Sequence, residues 1–294
     1  AREAPTGDTP ADNSPRRMQP PLPVICVPHG GGPLPLLGEA SHAAMSAWIG
    51  ALGGRLPRKP SAVVVVSAHW EAPVATVHAG ESPPLLFDYY GFPKEAYALS
   101  YPAKGSPALA QRVQDLLRAA GLQSAPETSR GWDHGVFIPL KLLLPEADVP
   151  VVQLSLLKSL DPAAHLRLGA ALRPLRSENI LILGSGMPSF HNMGGFSLNG
   201  PGGAVGPVAS RAFDGWLAEV VEGDPEARDR ALAAWKAEAP RARDAHPREE
   251  HLLPLMVCAG AAGADSGRRD LATEILGTAQ SGFVFGELRP AGAA

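Results

Sequence analysis

Four short runs rich in Val, Ile and Leu constrain the fold of this 294-residue chain more than any other feature. They cover residues 23–27, 62–67, 149–154 and 179–183. Continuous aliphatic residues without polar alternation are typical of strands buried on both faces, as in parallel sheets. Two further segments predict more peripheral strands, at residues 74–78 and 283–288.

Segments with helical signals lie between these runs. Ser106-Pro107 places an N-cap residue before a proline at the first helical position, and Gly121 ends that segment. Asp161-Pro162 opens a second helix in the same way. Further helices are predicted at residues 204–221, at 225–237, and from about 250–252 to 262. The last of these contains Pro254, which a helix tolerates only near its first turn.

The alternation of strands and helices predicts an α/β fold, with one catalytic domain over residues 23–290 and a mostly parallel central sheet flanked by helices. Residues 1–22 are polar and proline-rich without the apolar core of a signal peptide, so we expect a disordered or extended arm. The two cysteines, Cys26 and Cys258, lie in apolar segments and are expected to be buried free thiols, which fits a cytoplasmic protein.

Charge and hydropathy exclude two classes of partner. The net charge is −3 and no large basic patch is present, so nucleic acid is not expected as a partner. No apolar run is long enough to span a bilayer. The sequence carries no signal for the oligomeric state. Function should therefore be sought in a small-molecule site.

Five of the nine histidines lie just past apolar runs or in turns rich in Gly and Pro. They are His29, His69, His134, His191 and His251. His29 and His69 are predicted directly after the first two strands, and His191 shortly after the fourth. The carboxyl ends of parallel strands are where open α/β sheets place their ligand crevice. Because imidazole binds metals and moves protons near neutral pH, the sequence predicts one polar pocket at this edge.

The same pattern suggests candidate metal ligands. His29 and His69 are favoured, since strand ends are rigid and the glycines after His29 let a substrate approach the backbone. His251 lies beside Glu249 and Glu250, and any of these three side chains is a candidate ligand, with the histidine preferred. A site of histidines with at most one carboxylate suits zinc or non-haem Fe(II), and spacing alone does not separate them.

The remaining residues are interpreted by their surroundings. His134 and His191, each in a turn flanked by aromatic residues, are predicted to be acid–base or substrate-orienting groups. His246 is predicted to line the entrance. The other histidines are expected to be surface or core residues; they are His42, His78 and His165. Five aromatic residues are candidates for the walls of an aromatic-shaped pocket; they are Trp70, Tyr89, Tyr90, Trp132 and Phe190.

The glycine turn after His29 has a second interpretation. His-Gly-Gly-Gly also occurs in the oxyanion loop of lipase-like hydrolases. That enzyme class needs a Gly-x-Ser-x-Gly nucleophile elbow, which this sequence lacks. The sequence also offers no decisive anchor for an amino-acid carboxylate.

A series of short motifs occurs in order along residues 23–288. They are residues 29–33 (HGGGP), 67–70 (SAHW), 88–93 (DYYGFP), 101–107 (YPAKGSP), 133–140 (DHGVFIPL), 184–186 (GSG), 191–192 (HN) and 246–255 (HPREEHLLPL). Taken together, these motifs resemble the LigB-type (class III) extradiol ring-cleavage dioxygenases, in particular the DOPA-dioxygenase-like branch.

The resemblance implies a metal held by His29, His69 and His251, with His191 beside it as acid–base group or fourth ligand. It implies Fe(II) for activity, with Zn(II) as an alternative bound metal. The substrates would be O2 and a small catechol, DOPA-like or related, and the product a ring-opened semialdehyde. His134 would hydrogen-bond the substrate or oxygen. The alternatives are a zinc-dependent hydrolase and a non-catalytic metal-binding protein on the same fold.

Overall fold

A single mixed sheet of eight strands forms the centre of the computed structural model, which describes residues 20–196 and 205–290. The strands are β1 (Val24–Pro28), β2 (Ala62–Ala72), β3 (Ala75–His78), β4 (Ser124–Glu127), β5 (Val151–Leu157), β6 (Ile180–Gly186), β7 (Gly267–Ile275) and β8 (Thr278–Phe285). Their order across the sheet is β4-β3-β5-β2-β6-β1-β8-β7. The four central strands β5, β2, β6 and β1 are parallel, so their carboxyl ends lie along one edge.

Helices cover both faces of this sheet. Within the described residues they are α1 (Ala43–Arg55), α2 (Pro107–Ala119), α3 (His134–Leu143), α4 (Pro162–Leu172), α5 (Val205–Glu222), α6 (Pro225–Ala233), α7 (Trp235–Glu238), α8 (Ala242–Ala245) and α9 (Leu253–Ala262). One core, with α1 and α3, lies on one face, and a larger core, with α2, α4, α5 and α9, lies on the other. This is the α/β architecture predicted from the apolar runs.

Two helix starts follow the predicted capping chemistry. The Ser106 hydroxyl accepts a hydrogen bond from the backbone N–H of Leu109 at 3.2 Å, and the Asp161 carboxylate accepts one from Ala163 at 3.0 Å. In both helices proline occupies the first turn, where its missing N–H leaves no intrahelical bond unmade.

Several predicted boundaries differ from the structure. Strand β2 runs through His69 to Ala72 instead of ending before the histidine. The predicted helix 225–237 is interrupted at Ala234, where the turn brings Trp235 fully into the core. The last helix begins at Leu253, because residues 249–252 form turns before it, and Pro254 lies in its first turn. Of the predicted helix 204–221, Ala204 lies outside the described residues.

The sequence pattern missed strands β4 and β7, helices α1 and α3 and the short helix α8. Strand β7 has buried, partly buried and exposed side chains interspersed along an edge of the sheet, so it carries no continuous apolar run. Helix α3 contains Gly135 and Pro139, residues that argue against a helix when read alone. Strand β8 lies earlier than the predicted 283–288 and pairs antiparallel with β1.

Cys26 and Cys258 are buried and free, as predicted. Most of the predicted N-terminal arm, residues 1–19, lies outside the described residues, and Leu22 at its end is buried with its backbone N–H bonded to the Arg176 carbonyl at 3.1 Å. Across residues 20–196 and 205–290, no helix has the length and apolar character needed to cross a membrane.

Candidate metal centre and active site

The sheet edge brings all five predicted histidines into one cluster. His29 directly follows β1, His69 lies within β2, and His134 is the first residue of α3. His191 lies five residues beyond β6, and His251 two residues before α9. The ring centroids of His29 and His69 are 4.8 Å apart, and that of His251 is 5.3 Å from His29 and 4.9 Å from His69. Side chains from five separate chain segments therefore converge on one point.

His29, His69 and His251 have the arrangement of a three-histidine metal site. The Nε2 atoms of His29 and His69 are 3.1 Å apart, and one ring nitrogen from each of the three residues lies within 4.8 Å of the other two. Two metal–nitrogen bonds of about 2.0–2.1 Å place their nitrogens roughly 3 Å apart at ordinary coordination angles. The donor set and its spacing thus fit a single transition-metal ion.

The opposite nitrogen of each ring faces a neighbouring side chain. His29 Nδ1 lies 3.1 Å from the Ser185 hydroxyl, and His251 Nδ1 lies 2.9 Å from the Glu250 carboxylate. His69 Nδ1 is 3.9 Å from Asp88. Metal-binding histidines characteristically have their second nitrogen hydrogen-bonded, as in His29 and His251, which fixes the tautomer and turns the other nitrogen toward the ion.

Burial keeps these imidazoles neutral. Burial, followed by repulsion from neighbouring histidines, lowers the pKa of His29 and of His251 well below the ordinary value of 6.5. The same causes lower the pKa of His69 to about 4. A neutral ring nitrogen has a free lone pair, which is the form that coordinates a metal.

His134 is held by Asp88. The Asp88 carboxylate accepts hydrogen bonds from Nδ1 of His134 at 2.8 Å and from its backbone N–H at 3.1 Å. Burial would raise the pKa of Asp88, but the hydrogen bond and charge of His134 outweigh it and lower the pKa. Because an ionised carboxylate only accepts hydrogen bonds, Nδ1 of His134 carries the proton and Nε2 is left for another partner.

A buried network fixes the backbone at the start of α3. Asp133 is fully buried and accepts hydrogen bonds from Ser67 at 2.7 Å and from Gln153 at 2.6 Å. Arg130 adds a third contact to Asp133 at 3.1 Å. Ser67 belongs to β2 and Gln153 to β5, so the network joins the first turn of α3 to the strand that carries His69.

His191 stacks on His251. Their ring centroids are 3.3 Å apart and the planes are inclined by 14°. Glu250 lies beside both rings, 2.9 Å from Nδ1 of His251 and 3.5 Å from Nδ1 of His191. Burial would raise the pKa of Glu250, but hydrogen bonds from both histidines hold it well below its usual range. The site therefore contains a permanent negative charge next to its two stacked imidazoles.

The histidines open into a cavity of about 290 Å³. Besides the five imidazoles, its walls are glycines and apolar or aromatic side chains. They are Gly30, Gly31, Gly32, Leu34, Tyr89, Phe92, Met187, Met193, Phe196 and Leu276. The Tyr89 hydroxyl donates a hydrogen bond to the Ala96 carbonyl at 2.6 Å and so is already paired. Among the described wall residues, the imidazoles are therefore the polar side chains available to a ligand.

Of the five aromatic residues predicted as candidates for the pocket wall, the structure places only Tyr89 there. Trp70 follows His69 along β2, so its side chain leaves the opposite face of the strand and lies under the Arg130 guanidinium. Trp132 and Phe190 are fully buried in the two cores. Placing these three residues in the wall was wrong, since alternation and core packing turn them away. Tyr90, the fifth candidate, is 91% exposed.

One other histidine differs from expectation, and a second, buried as a core residue would be, has an additional role. His246 is fully buried and bonded to the Pro188 carbonyl at 3.0 Å, so it does not line the entrance. His42 is buried, and its Nε2 accepts a hydrogen bond from the backbone N–H of Gly31 at 3.0 Å. It thereby supports the glycine turn of the site, a role that its helical context in the sequence did not indicate.

Sequence reasoning also missed the role of Asp88. The residue belongs to the 88–93 motif, but no local signal links it to His134, which is 46 positions away. Glu249, one of three alternatives for the third ligand, pairs instead with Lys236 at 2.6 Å and Arg243 at 2.9 Å.

Comparison with known proteins decides the family. The model of the catalytic LigB subunit of aromatic ring-opening dioxygenases matches residues 37–286. The chain belongs to this family. Members of this family are extradiol ring-opening dioxygenases that use a non-haem metal, and the cluster of His29, His69 and His251 is the candidate metal site of this chain.

Individual relatives agree with this membership. The chain is 42% identical over 274 residues to dioxygenase tasH of Hapsidospora irregularis, covering 87% of this chain and 82% of that protein. It is 42% identical over 211 residues to the 4,5-DOPA dioxygenase extradiol of Beta vulgaris, covering 71% and 76%. A crystal structure of an uncharacterized protein from Escherichia coli K12 superposes with a TM-score of 0.73 at 28% identity, covering 90% of this chain and 100% of that one.

Proposed function

We propose that this LigB-family chain is an extradiol dioxygenase that inserts both atoms of O2 into a small catechol and yields a ring-opened semialdehyde, with residues 23–290 as its catalytic domain. The observation that carries the proposal is the convergence of five histidines in the wall of an otherwise apolar cavity of about 290 Å³. The relatives named as 4,5-DOPA dioxygenases support a substituted catechol as the substrate class.

Fe(II) is the metal we propose for activity, with Zn(II) as an alternative bound ion. His29, His69 and His251 would hold it, and the stacked ring of His191 is a candidate fourth ligand. When bound, the ion supplies positive charge that favours the ionised catechol and the redox chemistry that O2 requires.

The chain's own residues then move protons and orient the substrate. His191 accepts a catechol proton, and the ionised Glu250 at 3.5 Å from its Nδ1 stabilises the resulting imidazolium. His134, with Nδ1 donating to Asp88, presents Nε2 to a catechol hydroxyl. Tyr89 and Phe92 pack against the substrate ring from the wall of the cavity.

The overall reaction balances without a further reductant. One carbon–carbon bond next to the diol breaks, and both oxygen atoms enter the product. The ring carbons are oxidised while O2 is reduced. The proton taken by His191 returns to the product, so neither protons nor electrons are exchanged with an outside partner.

An oxygen-electrode assay tests the proposal. Protein loaded anaerobically with Fe(II) is mixed with 4-methylcatechol, DOPA, protocatechuate and gallate, and Zn(II)-loaded protein serves as the control. We expect O2 uptake matched by a yellow ring-opened product in the Fe(II) sample. Uptake with none of the catechols despite stoichiometric metal would overturn the proposal and favour a zinc hydrolase or a metal-binding protein.

A further inference from the structure

Leu276 adopts a backbone conformation that leucine disfavours. It lies at the tip of the β7–β8 hairpin, where Ile275 pairs with Thr278, and its φ is 50°, followed by 77° at Gly277. Two successive positive φ angles define a two-residue turn for which Asn-Gly or Gly-Gly is strongly preferred. A branched side chain at the first position is strained there, which suggests that the side chain is retained for another reason.

The side chain of Leu276 reaches the candidate site. It lines the cavity, and its Cδ1 lies 3.8 Å from the position that a Cβ on Gly31 would occupy. The backbone N–H of Leu276 donates to the Ser41 hydroxyl at 3.2 Å, next to His42, which holds Gly31. The hairpin tip and the glycine turn are thus both hydrogen-bonded to residues 41–42. These bonds place Leu276 over the loop that follows His29.

Over residues 20–196 and 205–290, the cavity walls offer no charged partner for a substrate. Among the described wall residues there is no Lys, Arg, Asp or Glu. A carboxylate or ammonium group on the substrate would leave water for apolar surface without an ion-pair partner, which is unfavourable.

The carboxylates that contact the histidines also disfavour a carboxylate on the substrate. Asp88 and Glu250 each carry one negative charge in contact with the cluster. Together they balance a divalent ion before any substrate enters. Arg248, which contacts Glu250 at 3.1 Å, is also paired with Glu71 at 2.8 Å and leaves no net positive charge. With the catechol proton kept on His191, the site has no net positive charge left to attract a carboxylate on the ring.

We infer that this site selects catechols whose ring substituent is uncharged and apolar, and that Leu276 is a specificity-determining residue for that substituent. The inference rests on the proposed function for the identity of the catechol ring. It separates this chain's substrate from DOPA and protocatechuate, whose substituents carry charge.

Binding and turnover measured separately test the selectivity. Anaerobic calorimetry on metal-loaded protein compares 4-ethylcatechol, DOPA and protocatechuate, and oxygen uptake then gives kcat/KM for each. We expect 4-ethylcatechol to be favoured about tenfold or more in both measurements, the scale of a small apolar group in a fitted pocket. Equal or tighter binding of DOPA overturns the inference. Selective binding without O2 uptake would support the inference and contradict the proposed function.

A pair of substitutions tests Leu276 itself. Leu276→Asn places the residue preferred by the turn at the tip, so we expect an unchanged or higher Tm together with a roughly tenfold weaker affinity for 4-ethylcatechol. Leu160→Asn is the matched control, since Leu160 also has a positive φ of 51° but lies outside the cavity wall. Leu160→Asn should leave catechol affinity unchanged. If Leu276→Asn does so too, the assignment of Leu276 is wrong.

Discussion

Asp88 accepts hydrogen bonds from both the ring Nδ1 and the backbone N–H of His134, at 2.8 and 3.1 Å. Its second oxygen lies 3.9 Å from Nδ1 of His69. One carboxylate therefore orients the proposed substrate-binding imidazole and faces a proposed metal ligand. This contact joins a loop residue, a helix N-terminus and a strand, and it makes Asp88 a positioning residue for the site.

We predict that Asp88→Asn lowers kcat by about 10- to 100-fold, because the neutral amide holds Nδ1–H of His134 less firmly. KM for the catechol should change much less than kcat. Metal content and Tm should stay close to those of the wild type, as measured by elemental analysis and thermal unfolding. A variant that loses its metal or unfolds would show that Asp88 acts mainly on the structure.

Glu250→Gln should weaken metal binding about 10- to 100-fold, since Glu250 fixes the ring of His251 through Nδ1. Competition with a chromophoric chelator measures this affinity. Glu249→Gln is the control at the adjacent position, because Glu249 pairs with Arg243 and Lys236 instead of a cluster histidine. Equal losses in both variants would indicate a general disturbance of the segment before α9.

His191→Ala should lower turnover by ~10²–10⁴-fold, the contribution typical of a positioned acid–base group. Metal should be retained by His29, His69 and His251. Oxygen uptake and metal stoichiometry are measured on the same sample. Wild-type turnover in this variant would refute the role of His191, and loss of the metal would make it a ligand.

We predict that His246 makes the free energy of unfolding depend on pH. Burial lowers its pKa to about 3, and its Nδ1 is buried with no hydrogen-bond partner among the described residues. The unfolded chain binds this proton near pH 6.5, whereas the folded chain binds it only near pH 3. The free energy of unfolding therefore has its full value above pH 6.5 and decreases as the pH falls toward 3. Between pH 7 and 5 the group alone should remove about 2 kcal/mol from the free energy of unfolding.

The measurement for His246 is urea unfolding of metal-free protein at pH 7 and pH 5. His246→Gln keeps a donor for the Pro188 carbonyl but cannot titrate. We expect the difference between the two pH values to shrink by roughly 1–2 kcal/mol in the variant. An undiminished pH dependence would place the effect on other groups.

The central sheet could be predicted because its signal is local. Continuous aliphatic runs mark β1, β2, β5 and β6, and burial on both faces leaves few alternatives. Strand β7 and helix α3 were missed since their stability depends on tertiary contacts. β7 pairs with β8 along its length. α3 includes Pro139 but is buried nearly throughout, so packing overrides a poor local propensity.

The histidine cluster was predictable for the same topological reason, since strand ends converge at one edge. The hydrogen-bond partners of these histidines could not be predicted, because the contact between Asp88 and His134 depends on how a long loop folds. Whether Trp70 or Tyr89 faces the cavity depends on strand alternation and loop path, which composition does not encode. The strained turn at Leu276 could not be predicted, because its position depends on the register of the β7–β8 hairpin.

The most direct test of the account is a labelling experiment. Fe(II)-loaded protein is supplied with ¹⁸O2 and 4-ethylcatechol, and the product is analysed by mass spectrometry after rapid quenching. The account predicts a ring-opened product that carries both labelled oxygen atoms, formed with one O2 consumed per catechol. A product without label, or an oxidised catechol with an intact ring, would contradict extradiol cleavage by this site.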